Sequence, residues 1–204
     1  MAYLITQSLI SAWQYMFDCF PGCEDDAKAS FLATLNRERT EQTTAMLNGI
    51  EFETEVYKAA SGAEREPHPA WENGIQLIAP IIAGGQFQVR ASREIEVDGM
   101  TFLAYGILDA LKAGSICDVK FKKKSFGSVE LAGSYLDSPQ HPMYFYLVPE
   151  AHEFTYLVSD GEDLYMERYT PEETRPLADI IHEFIASLTE MGLLETYMEK
   201  WRAT

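Results

Sequence analysis

The apolar period of this chain changes at Gly84-Gly85, so neither an all-helical nor an all-β fold accommodates both halves. Upstream, apolar residues recur at helical spacing. Leu9, Ile10, Trp13, Met16 and Phe17 mark a helix over residues 4–18, and residues 26–36 and 44–60 read as two more. Ser8 or Ser11 would cap the first helix, and "FPGC" would end it. "REPHPAWENG" reads as a loop or helix start, with residues 79–83 continuing the helix. Downstream the period is two. "QFQVRAS", "REIEVDG", "MTFLAYGILDAL" and "SICDVKF" read as successive strands, with Asp98-Gly99 as a hairpin turn. Residues 138–148 form a helix with Ser138 as N-cap and Pro139 at its first position. A second hairpin turns about Asp160-Gly161, and residues 171–202 close the chain as helix from "TPEE". The order predicts an α/β (α+β) fold, a mixed and largely antiparallel sheet flanked by helices.

Length and composition predict one domain over residues 1–204: a mainly helical part at 1–80, a sheet core at 86–170 and a C-terminal helix at 171–204. No run of 18 apolar residues is present, so no membrane span is expected. The first residues lack a basic leader and the three cysteines do not suggest a disulfide framework, which points to an intracellular, cytoplasmic protein. The net charge of −16 weighs against a nucleic-acid partner. Its distribution is uneven, however. From 151 to 204 twelve acidic residues face four basic ones, a net of −8, whereas Lys120, Lys122, Lys123 and Lys124 form the densest basic cluster.

That cluster follows the stretch "YGILDALKAGSICDVKFKKK". In a hairpin turning about Ala113-Gly114, paired residue numbers sum to 227, so Leu111 faces Ile116, Ala110 faces Cys117 and Asp109 faces Asp118. Opposed side chains have Cβ atoms about 4.5–5.5 Å apart, and like charges there repel. Two carboxylates at that separation suit a shared divalent cation such as Mg²⁺. Lys120 lies on the same face as Asp118, within reach of a water or an oxyanion at such a metal. The flanking residues are strongly apolar, and ionised groups among them are costly unless paired or metal-bound.

Asp109 followed by Asp118-Val119-Lys120 resembles the core motif of the PD-(D/E)XK nuclease superfamily. "QHPMY", Gln140 to Tyr144, is similar to the Q-x-x-x-Y motif of its RecB-like and phage-type exonuclease branch. "GIEFE" resembles that branch's first motif, with Glu53 four residues after Gly49, and "SLISAWQYMFDCFPG" loosely resembles its opening. The resemblance spans residues 8–170 and implies a restriction-endonuclease-like core. It also implies roles. Asp109, Asp118, the Val119 carbonyl and Glu53 would hold Mg²⁺ or Mn²⁺, and Lys120 would activate water. Gln140 and Tyr144, on one helical face, would hold the lysine or a DNA phosphate, with Lys122 also contacting substrate. The reaction implied is phosphodiester hydrolysis of DNA in phage-type recombination, repair or replication. A phage or host recombination protein is the expected partner, no membrane is involved, and oligomerisation is left open.

Some relatives carry a four-cysteine iron–sulfur cluster, but no cysteine follows Cys117 here, so none is expected. Cys19 and Cys23 read as buried small hydrophobes. Glu51 and Glu55 compete with Glu53, which fits the spacing best. His68, His141, His152 and His182 make no metal-ligand spacing, and His141 reads as exposed. The competing function is a non-catalytic binding or assembly protein that keeps the fold and uses its acidic surface. Mimicry of DNA by the acidic face is a third reading, which leaves the opposed carboxylates unexplained.

Overall fold

The computed structural model describes residues 1–39, 41–123, 126 and 131–203; Lys124 of the basic cluster lies outside the described residues. Among the described residues six strands form one mixed sheet: β1 (Ala2–Thr6), β2 (Gln86–Val97), β3 (Met100–Lys112), β4 (Ser115–Phe121), β5 (Glu153–Ser159) and β6 (Leu164–Tyr169). The antiparallel pairs are β2–β3, β3–β4 and β5–β6, and the parallel ones are β1–β3 and β4–β5. The helices are α1 (Gln7–Asp18), α2 (Glu24–Leu35), α3 (Thr44–Ser61), α4 (Glu72–Ile82), α5 (Gln140–Leu147), α6 (Leu177–Glu190) and α7 (Leu194–Lys200).

One sheet face carries a large cluster that joins Ile5, Phe102, Ala104, Leu108, Ile116 and Phe154 to α1, α2, α5, α6 and α7. The other carries a smaller one, in which Phe52 and Val56 of α3 and Ile75, Ile78 and Ile82 of α4 cover Ala110, Cys117, Val119 and Leu157. The i, i+4 and i, i+3, i+7 spacings give each of these two helices one apolar stripe. Each fully buried aliphatic or aromatic side chain there contributes about 1.5–3 kcal/mol of transfer free energy.

The structure corrects several expectations. The predicted helix over 4–18 is a strand followed by a helix. Residues 2–6 pair in parallel with residues 101–105 of β3, and the Thr6 hydroxyl, not Ser8 or Ser11, caps α1 by accepting from Leu9 N. The helical part at 1–80 therefore contributes a strand to the sheet. The other edge of β1 is covered by the C-terminus, with Leu4 N donating to Trp201 O at 2.6 Å and Tyr197 donating to Leu4 O at 3.0 Å. "QFQVRAS" and "REIEVDG" are one strand, because its whole length pairs with β3. The closing helix is three pieces: a 3₁₀ turn at Pro171–Glu173, then α6, then α7. Pro176 delays α6, and Gly192, at φ 68°, ends it in a left-handed cap. Helix α5 starts one residue later than expected, with Pro139 at the cap position, while the Ser138 hydroxyl accepts from Gln140 N at 3.3 Å.

The Asp98-Gly99 and Ala113-Gly114 turns have φ of 53° and 76°, and of 49° and 81°. Positive φ at both central residues is what a tight hairpin between right-twisted strands requires. The β3–β4 register follows the sum of 227: Lys112 with Ser115, Leu111 with Ile116, Ala110 with Cys117. There the ladder stops, one rung short of Asp109 and Asp118.

Candidate active site

One edge of β3 carries β2. The other carries β1 over 101–105 and β4 over 110–112, so β1 and β4 part around residues 106–109. This fork is where the predicted residues gather. The hydrogen-bonded rung after Ala110–Cys117 would use the Val119 N–H, but that donor goes at 2.9 Å to Asp109 Oδ2. Asp109 has thus taken the backbone bond that would have closed the fork.

Strand β3 also changes face here. Leu108 packs in the larger cluster, yet Ala110, two residues on, packs in the smaller one. Strand β2 does the same between Val89 and Phe87. The intervening rung, Gln88 with Asp109, is missing from an otherwise continuous ladder, and Gln88 is left-handed at φ 53°. Simple alternation predicts none of this, since it assigns a strand one parity throughout.

Asp118 is 1% exposed. Gln140 Nε2 donates to its Oδ1, and the Lys120 ammonium lies 2.7 Å from its Oδ2. The pair sets a fixed positive charge directly against the buried Oδ2. Glu53 reaches the fork from α3, on the opposite sheet face from α5. Its Oε1 accepts from Tyr57 OH and, at 2.8 Å, from Gln88 Nε2. Glu51 is exposed and Glu55 pairs with Lys58 at 2.7 Å, so of the three glutamates only Glu53 joins the fork.

The electrostatics follow from this crowding. Burial, then the charges of Asp118 and Glu53, push the Asp109 carboxyl well above its ordinary range. Burial also raises Glu53, against the lowering donors Tyr57 and Gln88. Burial pulls the Lys120 ammonium down, but Asp118 and Asp109 more than offset this, so it stays charged.

Tyr144 lies one turn after Gln140, but its hydroxyl donates at 2.8 Å to Ile107 O, on the stretch of β3 that β2 pairs and neither β1 nor β4 does. Burial and the neighbouring aspartates push the phenol up to about 12. Its ring lies against Gly106, where a Cβ would come within 2.4 Å of the ring. Lys122 sits over the Tyr135 ring at 5.2 Å, and its N–H donates to Ser159 O. Val119 meets Asp109 through its N–H. His141, read as exposed, is buried at 2% instead. It stacks on Tyr169 at 4.1 Å and bonds Tyr156 OH at 3.1 Å, because α5 is buried all round. Cys19 and Cys23, read as buried, are half-buried free thiols.

Two residues of this network were not anticipated. Tyr57 lies four residues after Glu53 on one helix, a spacing visible in the sequence. Gln88 carries no local signal, because nothing in "QFQ" announces a left-handed residue. Among the described residues, no three of His, Cys, Asp or Glu stand ready-made around a metal position. Each fork carboxylate is instead engaged by a donor: Val119 N–H, Gln140 with Lys120, or Tyr57 with Gln88. Among the described residues no helix is long and apolar enough to cross a membrane.

No family model and no curated protein sequence matches the chain. Fifteen chains of solved structures do match. The crystal structure of SSO0001 is 14% identical, with a TM-score of 0.54 over 94% of this chain and 77% of that one. LHK-Exo in complex with dAMP is 12% identical, with a TM-score of 0.48 over 92% and 90%. Rai1 of Scheffersomyces stipitis is 10% identical, with a TM-score of 0.36 over 91% and 61%. The likeness to SSO0001 is one of fold: a mixed α/β sheet flanked by helices.

Proposed function

We propose that this protein is a divalent-metal-dependent nuclease that hydrolyses DNA phosphodiester bonds, as an exonuclease in phage-type recombination, repair or replication. The observation that carries the reading is the meeting of Asp109, Asp118 and Glu53 around Lys120 at the fork, three acidic side chains beside one ammonium. Burial and neighbouring charge raise the proton affinity of Asp109 and Glu53, and one ammonium beside three acidic groups leaves negative charge uncompensated. A structural role gives no reason to keep that arrangement in an apolar sheet.

These residues fit Mg²⁺ or Mn²⁺. Asp109, Asp118, the Val119 carbonyl and Glu53 would hold it. When bound, such an ion lowers the pKa of water and offsets charge on the reacting phosphate. The chain's own groups have separable tasks. Lys120 keeps a fixed positive charge beside Asp118 and orients the attacking water. Gln140 holds the Asp118 carboxylate in one orientation, and Tyr144 fastens α5 to the open stretch of β3. Lys122 offers a phosphate contact, and a phage or host recombination protein is the partner proposed for the acidic surface.

The test is incubation with linear single- and double-stranded DNA in Mg²⁺ or Mn²⁺ and in chelator. The expected result is metal-dependent degradation, absent in chelator and in Asp118→Ala and Lys120→Ala. Absence of divalent-cation binding by calorimetry would overturn the reading and favour the non-catalytic binding protein.

A further inference from the structure

Gln88 holds φ 53° inside β2, at its third residue, a conformation glutamine rarely adopts. Such strain persists only where the surroundings impose it. Here the strand changes face and loses the rung to Asp109, and the same conformation aims the side chain at the fork. Gln88 Nε2 donates to Glu53 Oε1 at 2.8 Å and to Tyr57 OH at 3.0 Å, while Tyr57 OH donates to the same Oε1. The three groups close a triangle in which the phenol accepts from the amide and donates to the carboxylate, so each bond polarises the next. Both donors act on one oxygen of Glu53. Among the described residues the other, Oε2, receives no side-chain hydrogen bond.

The geometry points to Gln88 and Tyr57 as positioning residues that lock the Glu53 side chain, an assignment that rests on the nuclease reading of the fork. Tyr57 comes from α3 and Gln88 from β2, so the clamp ties the helix to the strand at the level of Asp109. Without them the Glu53 carboxylate, on a half-buried residue of α3, would have no side-chain donor among the described residues. Charge-assisted bonds from two elements remove its rotamer freedom before substrate arrives.

The clamp makes a prediction that a structural role for Gln88 reverses. Glycine is the residue best suited to a left-handed position. Gln88→Gly therefore keeps or raises Tm while removing the amide. Expected are a kcat on linear DNA lower by about tenfold or more, a KM for DNA within about twofold of wild type, and weaker Mn²⁺ binding by calorimetry. Gln88→Asn, whose side chain also tolerates this backbone but is one methylene short, behaves the same way. Tyr57→Phe, which keeps the ring stacked on Phe87 at 5.1 Å, loses kcat in the same sense. Wild-type kcat and Mn²⁺ affinity in Gln88→Gly and Tyr57→Phe overturn the assignment alone. So does a Gln88→Gly whose loss of turnover accompanies a fall in Tm. A wild-type protein that neither binds Mn²⁺ nor cleaves DNA overturns the nuclease reading and this assignment with it.

Discussion

Ala113 and Gln88 are both non-glycine residues in the left-handed region, at φ 49° and 53°, and they sit at opposite ends of the same structural problem. Ala113 opens the two-residue turn between β3 and β4, where the connection itself demands positive φ. Beside it the ladder is regular and the residue numbers sum to 227 rung after rung. Gln88 lies within a strand, where no turn requires the conformation and the ladder has lost a rung. At the turn, strain serves the chain's path, and the side chain is incidental. At the fork, strain serves a side chain, and the path is disturbed for it. A left-handed residue outside a turn thus marks function more reliably than one inside it.

The contrast is open to breaking. The largest stability effect belongs to the fork: Lys120→Met leaves the buried Asp118 carboxylate without its counter-charge. It should cost about 2–3 kcal/mol by denaturant titration, below the full buried-pair range because the ammonium is 36% exposed. Next is Gly106→Ala, which drives a Cβ to within 2.4 Å of the Tyr144 ring and should cost about 1–3 kcal/mol. It should also lower turnover, by shifting the helix that carries Gln140.

Stability should also depend on pH through Asp109 and Glu53. Both have folded pKa values raised above the ordinary 3.8 and 4.5, so folding favours their protonated forms. The stabilisation they contribute is complete below those ordinary values and is lost as pH rises through the raised ones. Without divalent cation, Tm should therefore decline over that rise. Asp109→Asn should flatten the decline and gain a few degrees near neutral pH, while abolishing cleavage. The smallest effect belongs to the turn: Ala113→Asn, creating Asn-Gly, should stabilise by about 0.5–1 kcal/mol and leave turnover unchanged. Set beside Gln88→Asn, it compares one side chain at two left-handed sites, with loss of activity expected at only one.

Much of this was legible along the chain. The Ala113-Gly114 register could be written down from turn chemistry alone, and the Gln140–Tyr144 spacing correctly put both side chains on α5. Strand β1 was not legible, because Leu4 and Ile5 run into the apolar residues of α1, and only pairing with β3 distinguishes strand from helix there. His141 was misread because one polar residue in an apolar helix does not disclose that the helix is covered on every side. Tyr57 was within reach of the i, i+4 rule, and Gln88 was not.

The change of period at Gly84-Gly85, the two tight turns and the identity of the acidic residues are local properties, written in periodicity and in residues with restricted backbones, and the sequence by itself determined them. Where the β3–β4 ladder ends was decided only in the tertiary structure. Asp109 competes with the backbone for the Val119 N–H, Gln140 and Lys120 approach Asp118 from separate segments, and α3 brings Glu53 to the fork from the other face. Those are interactions between parts of the chain distant in sequence, and their energies exist only once the sheet has formed.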